Sequence, residues 1–283
     1  MNPQELLKVV TADSEDASLT AVFHRLNSVL PENQRMVTIT PETKASDALR
    51  VMRQLGFSQL PVIVGNEVLG LFSHRSFAHA VLAMAAEANT RPISPFDLTV
   101  DECMEKAVFA RVTDEFNQWF DALDSHDAVV VDGPDRLLGI VTAMDVLRYL
   151  YDVASPFVMV AEIELAIRAL IRCAADETAL AECARTALVS TYQPETPPTE
   201  LGEMTFHDYL QIIGDGRNWP RFEAVFGGTR QRTRARLEQM NAIRNSVFHF
   251  RKVTPEEYEK LADHRDWMLM KVRTAEARAK GGT

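Results

Sequence analysis

The feature that most narrows what this chain can fold into is an internal repeat. The pattern around Gly70 returns around Gly139, 69 positions later. In the first copy Met36–Thr40 (MVTIT) alternates like a short strand, Pro41–Lys44 is a turn, and Ser46–Gln54 places Ala48, Leu49 and Met52 at helical spacing. The apolar run Leu60–Val64, the polar turn GNE and the run Val68–Ser73 predict a strand pair, and a helix follows from Arg75 to about Glu87. In the second copy the order is a strand at Val108–Val112, a helix from Thr113 to Leu123 and a buried strand at Ala128–Val131. The turn DGPDR, the strand Leu137–Thr142 and a helix to about Val153 complete it. Each unit is strand–helix–strand–strand–helix. A sheet that small cannot cover both of its faces, so the two copies are expected to stack.

The rest of the chain changes period. Ser155-Pro156 is read as a helix break, and Phe157 to about Val189 as one long helix with Ile163, Ile167, Leu170 and Ile171 on one side and Glu164 and Arg168 paired on the other. Tyr192–Pro198 is a proline-rich loop, Phe206–Ile213 a short helix and Gly214–Pro220 a turn. Thr229–Phe250 is a helix with Leu237, Met240, Ile243, Val247 and Phe250 as its apolar stripe, and Pro255 opens a last helix to about Ala279. The fold class is therefore α+β: tandem repeats followed by an all-α domain. The divisions fall at 1–32 (an N-terminal helical segment), 33–90, 91–154 and 155–283.

With 283 residues, 46% hydrophobic and 25% charged, the chain can bury real cores. Its net charge of -10 argues against a protein that coats nucleic acid or membranes generally. Three cysteines, Cys103, Cys173 and Cys183, lack metal-ligand spacing and cannot all pair, which suits a reducing compartment. Cys173 and Cys183 are read as buried, and no metal site is expected. No basic-then-apolar leader opens the chain and no apolar run is long enough for a membrane span, so the expectation is a cytoplasmic protein.

The repeat resembles the CBS domain family (the cystathionine β-synthase module) through its LPV strand, Leu60–Val62, and its glycine–apolar–apolar–hydroxyl turns. Those turns read Gly70-Leu71-Phe72-Ser73 and Gly139-Ile140-Val141-Thr142. The resemblance covers about residues 33–153. It implies a cleft for an adenine nucleotide (AMP, ADP or ATP) or an S-adenosyl ligand, acting as a regulator. The turn hydroxyl would reach phosphate, and an Asp three residues later would accept from the ribose hydroxyls. Carried over, the second copy has Thr142 and Asp145 but no cation between them. The first has Ser73, with His74 and Arg75 suited to phosphate, but Ser76 in place of the Asp. Two readings stay open: one nucleotide around Thr142 and Asp145 with help from Ser73, His74 and Arg75, or simple capping of the following helix.

Arg244, Asn245 and His249 spell R-N-x-x-x-H, which resembles the HEPN superfamily over about residues 155–280. That resemblance implies a metal-independent ribonuclease with one composite site across a homodimer and no required cofactor. His249 would move the proton of a ribose 2′-hydroxyl, and Arg244 would hold the phosphate. On an ideal helix Asn245 lies one turn before His249, whereas Arg244 sits about 140° away, so a shared site favours a partner chain. Between Gly214 and Lys252 nine basic residues face three acidic ones, and Arg230, Arg232, Arg234 and Arg236 are read as a run that can line RNA phosphates. The plainer alternatives are a solvated charged face and a pairing of Arg244 with Glu162 or Glu164. The combined expectation is a nucleotide-sensing module regulating a helical ribonuclease; the alternative is a non-catalytic adenine-nucleotide sensor that dimerises or docks a partner.

Overall fold

A computed structural model describes residues 25–30, 34, 36–86, 94–133, 136–193, 195–251 and 253–281. The chain forms two compact units that divide between Tyr151 and Asp152. Of the N-terminal helical segment expected over 1–32, a single turn, α1 (Leu26–Val29), is helical among the described residues; residues 1–24, 31 and 32 of that expectation lie outside them.

In the first unit the first copy supplies α2 (Ala45–Leu55), β1 (Gln59–Val64), β2 (Glu67–Ser73) and α3 (His74–Ala86). A short α4 (Val100–Cys103) leads to β3 (Glu105–Lys106) and β4 (Phe109–Ala110). The second copy continues with α5 (Phe120–Ser125), β5 (Val129–Gly133), β6 (Arg136–Val141) and the start of α6 (Ala143–Ala174). Helix α2 forms where expected: Ala45, Ala48 and Met52 are fully buried, and Gly56 closes it in the left-handed conformation (φ 71°) that glycine alone adopts without cost.

Two three-stranded sheets result, ordered β1-β2-β3 and β4-β5-β6. The repeat is legible to the level of hydrogen-bond register. Val62 pairs with Gly70 and Val131 with Gly139, and both ladders carry an irregularity one residue later, at Val62/Ile63 and Val131/Asp132. Val68 and Leu71 of one copy and Ala128 and Val130 of the other share an apolar cluster, so the expected stacking of the two copies is present.

The copies differ at their first strand, and one residue explains the difference. In the second copy the Val130 amide donates to the Val108 carbonyl at 2.8 Å and β4 pairs parallel to β5. The position equivalent to Val130 is Pro61, which has no N–H to donate. The strand expected at Met36–Thr40 accordingly shrinks to one parallel bridge, Ile39 to Val62, held by Ile39 N to Pro61 O and Ile63 N to Ile39 O.

The second unit is helical: the remainder of α6, then α7 (Glu177–Tyr192), α8 (Phe206–Gly214), α9 (Trp219–Phe226), α10 (Arg230–Phe248) and α11 (Pro255–Gly281). Three boundaries correct the sequence reading. Helix α6 runs through Pro156, although proline forfeits one intrahelical bond at a cost of about 3 kcal/mol. Burial of Met159, Val160, Ile163, Ile167, Leu170 and Ile171 offsets that, at roughly 1.5–3 kcal/mol for each large side chain. The real break comes at Asp176, whose carboxylate caps α7 by accepting from the Ala179 amide at 2.8 Å. Helix α9 begins inside the expected turn, with Pro220 in its first turn, where its missing N–H costs nothing.

The expected Glu164–Arg168 pair forms at 2.5 Å, and Arg168 also donates to Tyr209 Oη at 2.8 Å, which in turn donates to the Leu201 carbonyl. Cys183 is buried as expected but Cys173 is exposed, and all three cysteines are free. Burial, with Glu102 and Asp101 nearby, pushes the Cys103 thiol up to about 11. Among the described residues no helix is long and apolar enough to cross a membrane.

The repeat glycines make a differential test. A Cβ at Gly70 would run into the Glu105 backbone carbonyl, whereas one at Gly139 would meet only side-chain ends, Gln34 Oε1 and Leu30 Cδ2, both at 2.7 Å. Gly70→Ala should cost about 2–3 kcal/mol in urea unfolding, and Gly139→Ala clearly less.

Candidate functional site

The two strand-to-helix turns of the repeat are built alike. Thr142 Oγ1 accepts from the Asp145 amide at 3.2 Å, and Asp145 Oδ2 accepts from the Thr142 amide (2.9 Å) and hydroxyl (2.6 Å). In the other copy Ser73 Oγ accepts from the Ser76 amide at 3.1 Å, while Ser76 Oγ accepts from the Ser73 amide and donates to the Ser73 carbonyl. Both are reciprocal helix caps. The difference lies in what remains. Ser76 is 2% exposed and its hydroxyl is spent, whereas Asp145 keeps its second oxygen, Oδ1, without a bond among the described residues. Capping and ligand binding are thus compatible at Asp145.

Asp145 and Thr142 face a cleft of about 340 Å³ lined by Gln34, Met36, Val37, Phe57, Ser58, Gln59, Ile140, Met144 and Arg148, among others. That volume suits a small ligand. Arg148 lies one turn beyond Asp145 on α6, so the wall holds a hydroxyl, a carboxylate and a guanidinium in a row. Sequence reasoning missed this cation because it sought one between Thr142 and Asp145. The helical step of three residues was the available signal. Gln34 was missed as well: its carboxamide accepts from the Ile140 amide at 3.0 Å and donates to the Ile140 carbonyl at 2.8 Å.

Ser73, His74 and Arg75 are not part of this cleft. Ser73 lies at the equivalent position of the other copy, where Ser73, Glu105, Lys106, His126 and Asp127 leave a void of about 10 Å³, room for one water at most. That position is filled from within. Strand β3 pairs along β2, with Leu71 opposite Glu105, and the Glu105 carboxylate meets His79 Nδ1 at 3.1 Å and His126 Nδ1 at 3.9 Å. His74 and Arg75 are exposed on the first turn of α3, and Arg75 reaches the Asp124 carbonyl at 3.5 Å. The repeat itself is the cause, since it sends the two turns to equivalent but separate positions.

In the helical unit the second candidate set lies at the C-terminal end of α10. Helix α10 ends at Phe248, so His249 is its C-terminal cap (φ -92°, ψ 14°) and not a member of its polar face. Phe250 follows at φ 54°, with Phe250 N donating to Val247 O and Arg251 N to Ser246 O, the bonding of a Schellman cap. Phenylalanine there carries a backbone cost of about 1–2 kcal/mol, and its ring packs on Phe157 at 6.1 Å instead of joining the apolar stripe. Arg244 lays its guanidinium 4.5 Å over the Phe248 ring and donates to Asn245 Oδ1 at 3.3 Å, while its Nε is buried without a partner. Neither expected acid pairs with it: Glu164 holds Arg168, and Glu162 lies 3.9 Å from Arg265. Asn245 and His249 are both exposed.

The arginines of the run divide between two sides of α10. Residues two apart on a helix point about 200° apart, and the partners follow that splay. Arg230 donates to the Gly214 carbonyl, Arg234 pairs with Glu238 at 2.8 Å, and Arg236 reaches His264 Nδ1 and the Asp263 carbonyl while stacking 4.6 Å over Trp267. Among the described residues no group of three or more His, Cys, Asp or Glu is placed to hold a metal ion.

The CBS domain family matches this chain twice, at residues 32–83 and 100–152. Among solved structures, the CBS-domain-containing protein ATU1752 from Agrobacterium tumefaciens is 22% identical with a TM-score of 0.37, over 44% of this chain and 96% of that one. CBSX2, solved in complex with AMP, is 18% identical with a TM-score of 0.37, over 46% of this chain and 97% of its own. The conserved CBS domain protein TA0289 from Thermoplasma acidophilum is 23% identical with a TM-score of 0.38, over 45% and 70% respectively. No curated protein sequence matches the chain.

His264 offers a pH test of the helical unit. Its ring is 5% exposed, and burial, with the Arg236 guanidinium beside it, holds its pKa below the ordinary 6.5. The folded chain therefore resists a proton that the unfolded chain accepts. Stability is complete above about pH 6.5 and falls below it, by at most about 1.4 kcal/mol per pH unit. Thermal melts at pH 7.5 and 5.0 should show this loss, and His264→Gln should reduce it.

Proposed function

We propose that the two CBS domains at residues 32–83 and 100–152 form a sensor that binds one adenine nucleotide per chain, in the cleft of Thr142, Asp145 and Arg148. An adenine nucleotide is the ligand that the resemblance to the CBS family implies. The observation that carries the reading is the asymmetry between the copies: one position keeps a cleft of about 340 Å³ with a free carboxylate oxygen, while the other is filled by β3 and Glu105. In this reading Asp145 Oδ1 accepts from the ribose hydroxyls, and Thr142 Oγ1 and the Arg148 guanidinium meet phosphate. The protein works in the cytoplasm as a homodimer whose helical unit, residues 155–283, docks a partner. The division of the chain at 33–90 and 91–154 follows the repeat.

Isothermal calorimetry with AMP, ADP, ATP and S-adenosylmethionine tests this reading. One site per chain is expected. Arg148→Ala should weaken nucleotide binding about tenfold, and Asp145→Asn, which retains a capping oxygen but not the charge, by a similar factor. Absence of heat with all four ligands would discard the sensor.

A second reading makes the helical unit a metal-independent ribonuclease, with Arg244, Asn245 and His249 completing a site across the homodimer. Its support is that Asn245 and His249 are both exposed at one helix end. RNA incubated with chelator and either wild-type protein or His249→Ala decides it: cleavage lost in the variant sustains the reading, and equal products from both remove it.

A further inference from the structure

The main-chain edge of β6 beside the cleft is occupied in an unusual way. At the equivalent edge of the first copy, Leu71 faces the backbone of Glu105 in a regular antiparallel ladder. At Ile140 no strand is present among the described residues, and one side chain substitutes for it. Gln34 presents its carboxamide flat to the strand, accepting from the Ile140 amide at 3.0 Å and donating to its carbonyl at 2.8 Å. Gly139 makes the seat possible, because a Cβ there would stand 2.7 Å from Gln34 Oε1.

Backbone against backbone, a ladder is held along its length. A single carboxamide is held at two points, at the end of three rotatable side-chain bonds. Gln34 and Ile140 both line the cleft that holds Thr142, Asp145 and Arg148. The pair that Gln34 satisfies, one donor beside one acceptor, is also what the edge of a nucleobase satisfies. The N6 amine and N1 of adenine, or the O6 and N1–H of guanine, offer the same two complementary groups in one plane.

We propose that Gln34 is a specificity-determining competitor for this position. It holds the Ile140 edge in the empty protein, and a nucleobase displaces it on binding while Thr142, Asp145 and Arg148 hold the ribose and phosphate. This inference rests on the nucleotide reading above and adds to it the base subsite and the means by which that subsite is kept closed. Two consequences follow. In the unliganded protein the Ile140 amide and carbonyl are both paired, by Gln34. Binding also costs the Gln34 bonds, so affinity is set below what the cleft alone would give.

The test is calorimetry on the full chain with AMP, GMP and ribose 5-phosphate, the last having no base. The proteins are wild type, Gln34→Ala and Gln34→Asn, the last one methylene too short for both bonds. Gln34→Ala and Gln34→Asn should bind the preferred mononucleotide about tenfold more tightly than wild type, with ribose 5-phosphate affinity unchanged. The Ile140 amide should exchange faster with deuterium in both variants without ligand and be protected again when the mononucleotide is present. Unchanged or weaker mononucleotide binding in the variants would overturn the competitor role and leave the nucleotide reading intact. An equal gain for ribose 5-phosphate would also overturn it, because Gln34 would then block the cleft generally. If neither AMP nor GMP binds any of the three proteins, the nucleotide reading fails and takes this inference with it.

Discussion

A strand edge that borders a cavity must have its amide and carbonyl groups paired, because an unpaired buried one costs as much as a lost hydrogen bond. The first unit meets this requirement twice, at two equivalent places, by two different means. Beside β2 the partner is another strand, β3, and the strand's own bulk and the Glu105 carboxylate fill the space. Beside β6 the partner is the carboxamide of Gln34, which pairs two groups and fills little. The difference between a filled position and an open cleft follows from that choice, not from any difference between the hairpins, which agree down to their bulges.

The charges follow the same division. Helical steps from each turn lead to Ser76 and His79 in one copy and to Asp145 and Arg148 in the other. In the filled position His79 is engaged with Glu105, and among the described residues the two serines bond each other and their own backbone. In the open one the carboxylate spends one oxygen on the helix cap and retains the other. A capping residue and a binding residue are often treated as rival explanations of one Asp. Two oxygens allow both.

Several side chains of the R-N-x-x-x-H stretch and of the arginine run have partners within the helical unit. Arg244 is five residues before His249, but α10 stops at Phe248, and the guanidinium turns onto that ring. Arg230, Arg234 and Arg236 read as a basic run in one dimension, yet each finds a partner within the unit, a helix C-terminal carbonyl, a glutamate or a tryptophan face. Sequence spacing alone could not show this, since the partners Gly214, Asp263, His264 and Trp267 come from other helices.

The sequence by itself determined the repeat, the paired strands of each copy, the helix cap at Thr142 and the apolar faces of most helices, because these depend on neighbours within a few positions. Proline was its weak point. Pro61 silently removed a strand bond in the first copy, and Pro156 looked like a break that core packing overrode. Only the tertiary structure decided which copy keeps a cleft, that Arg148 and Gln34 line it, and that His74 and Arg75 do not. Those outcomes depend on residues 49 to 106 positions apart meeting, as Arg75 does Asp124 and Gln34 does Ile140, and no local period encodes such meetings.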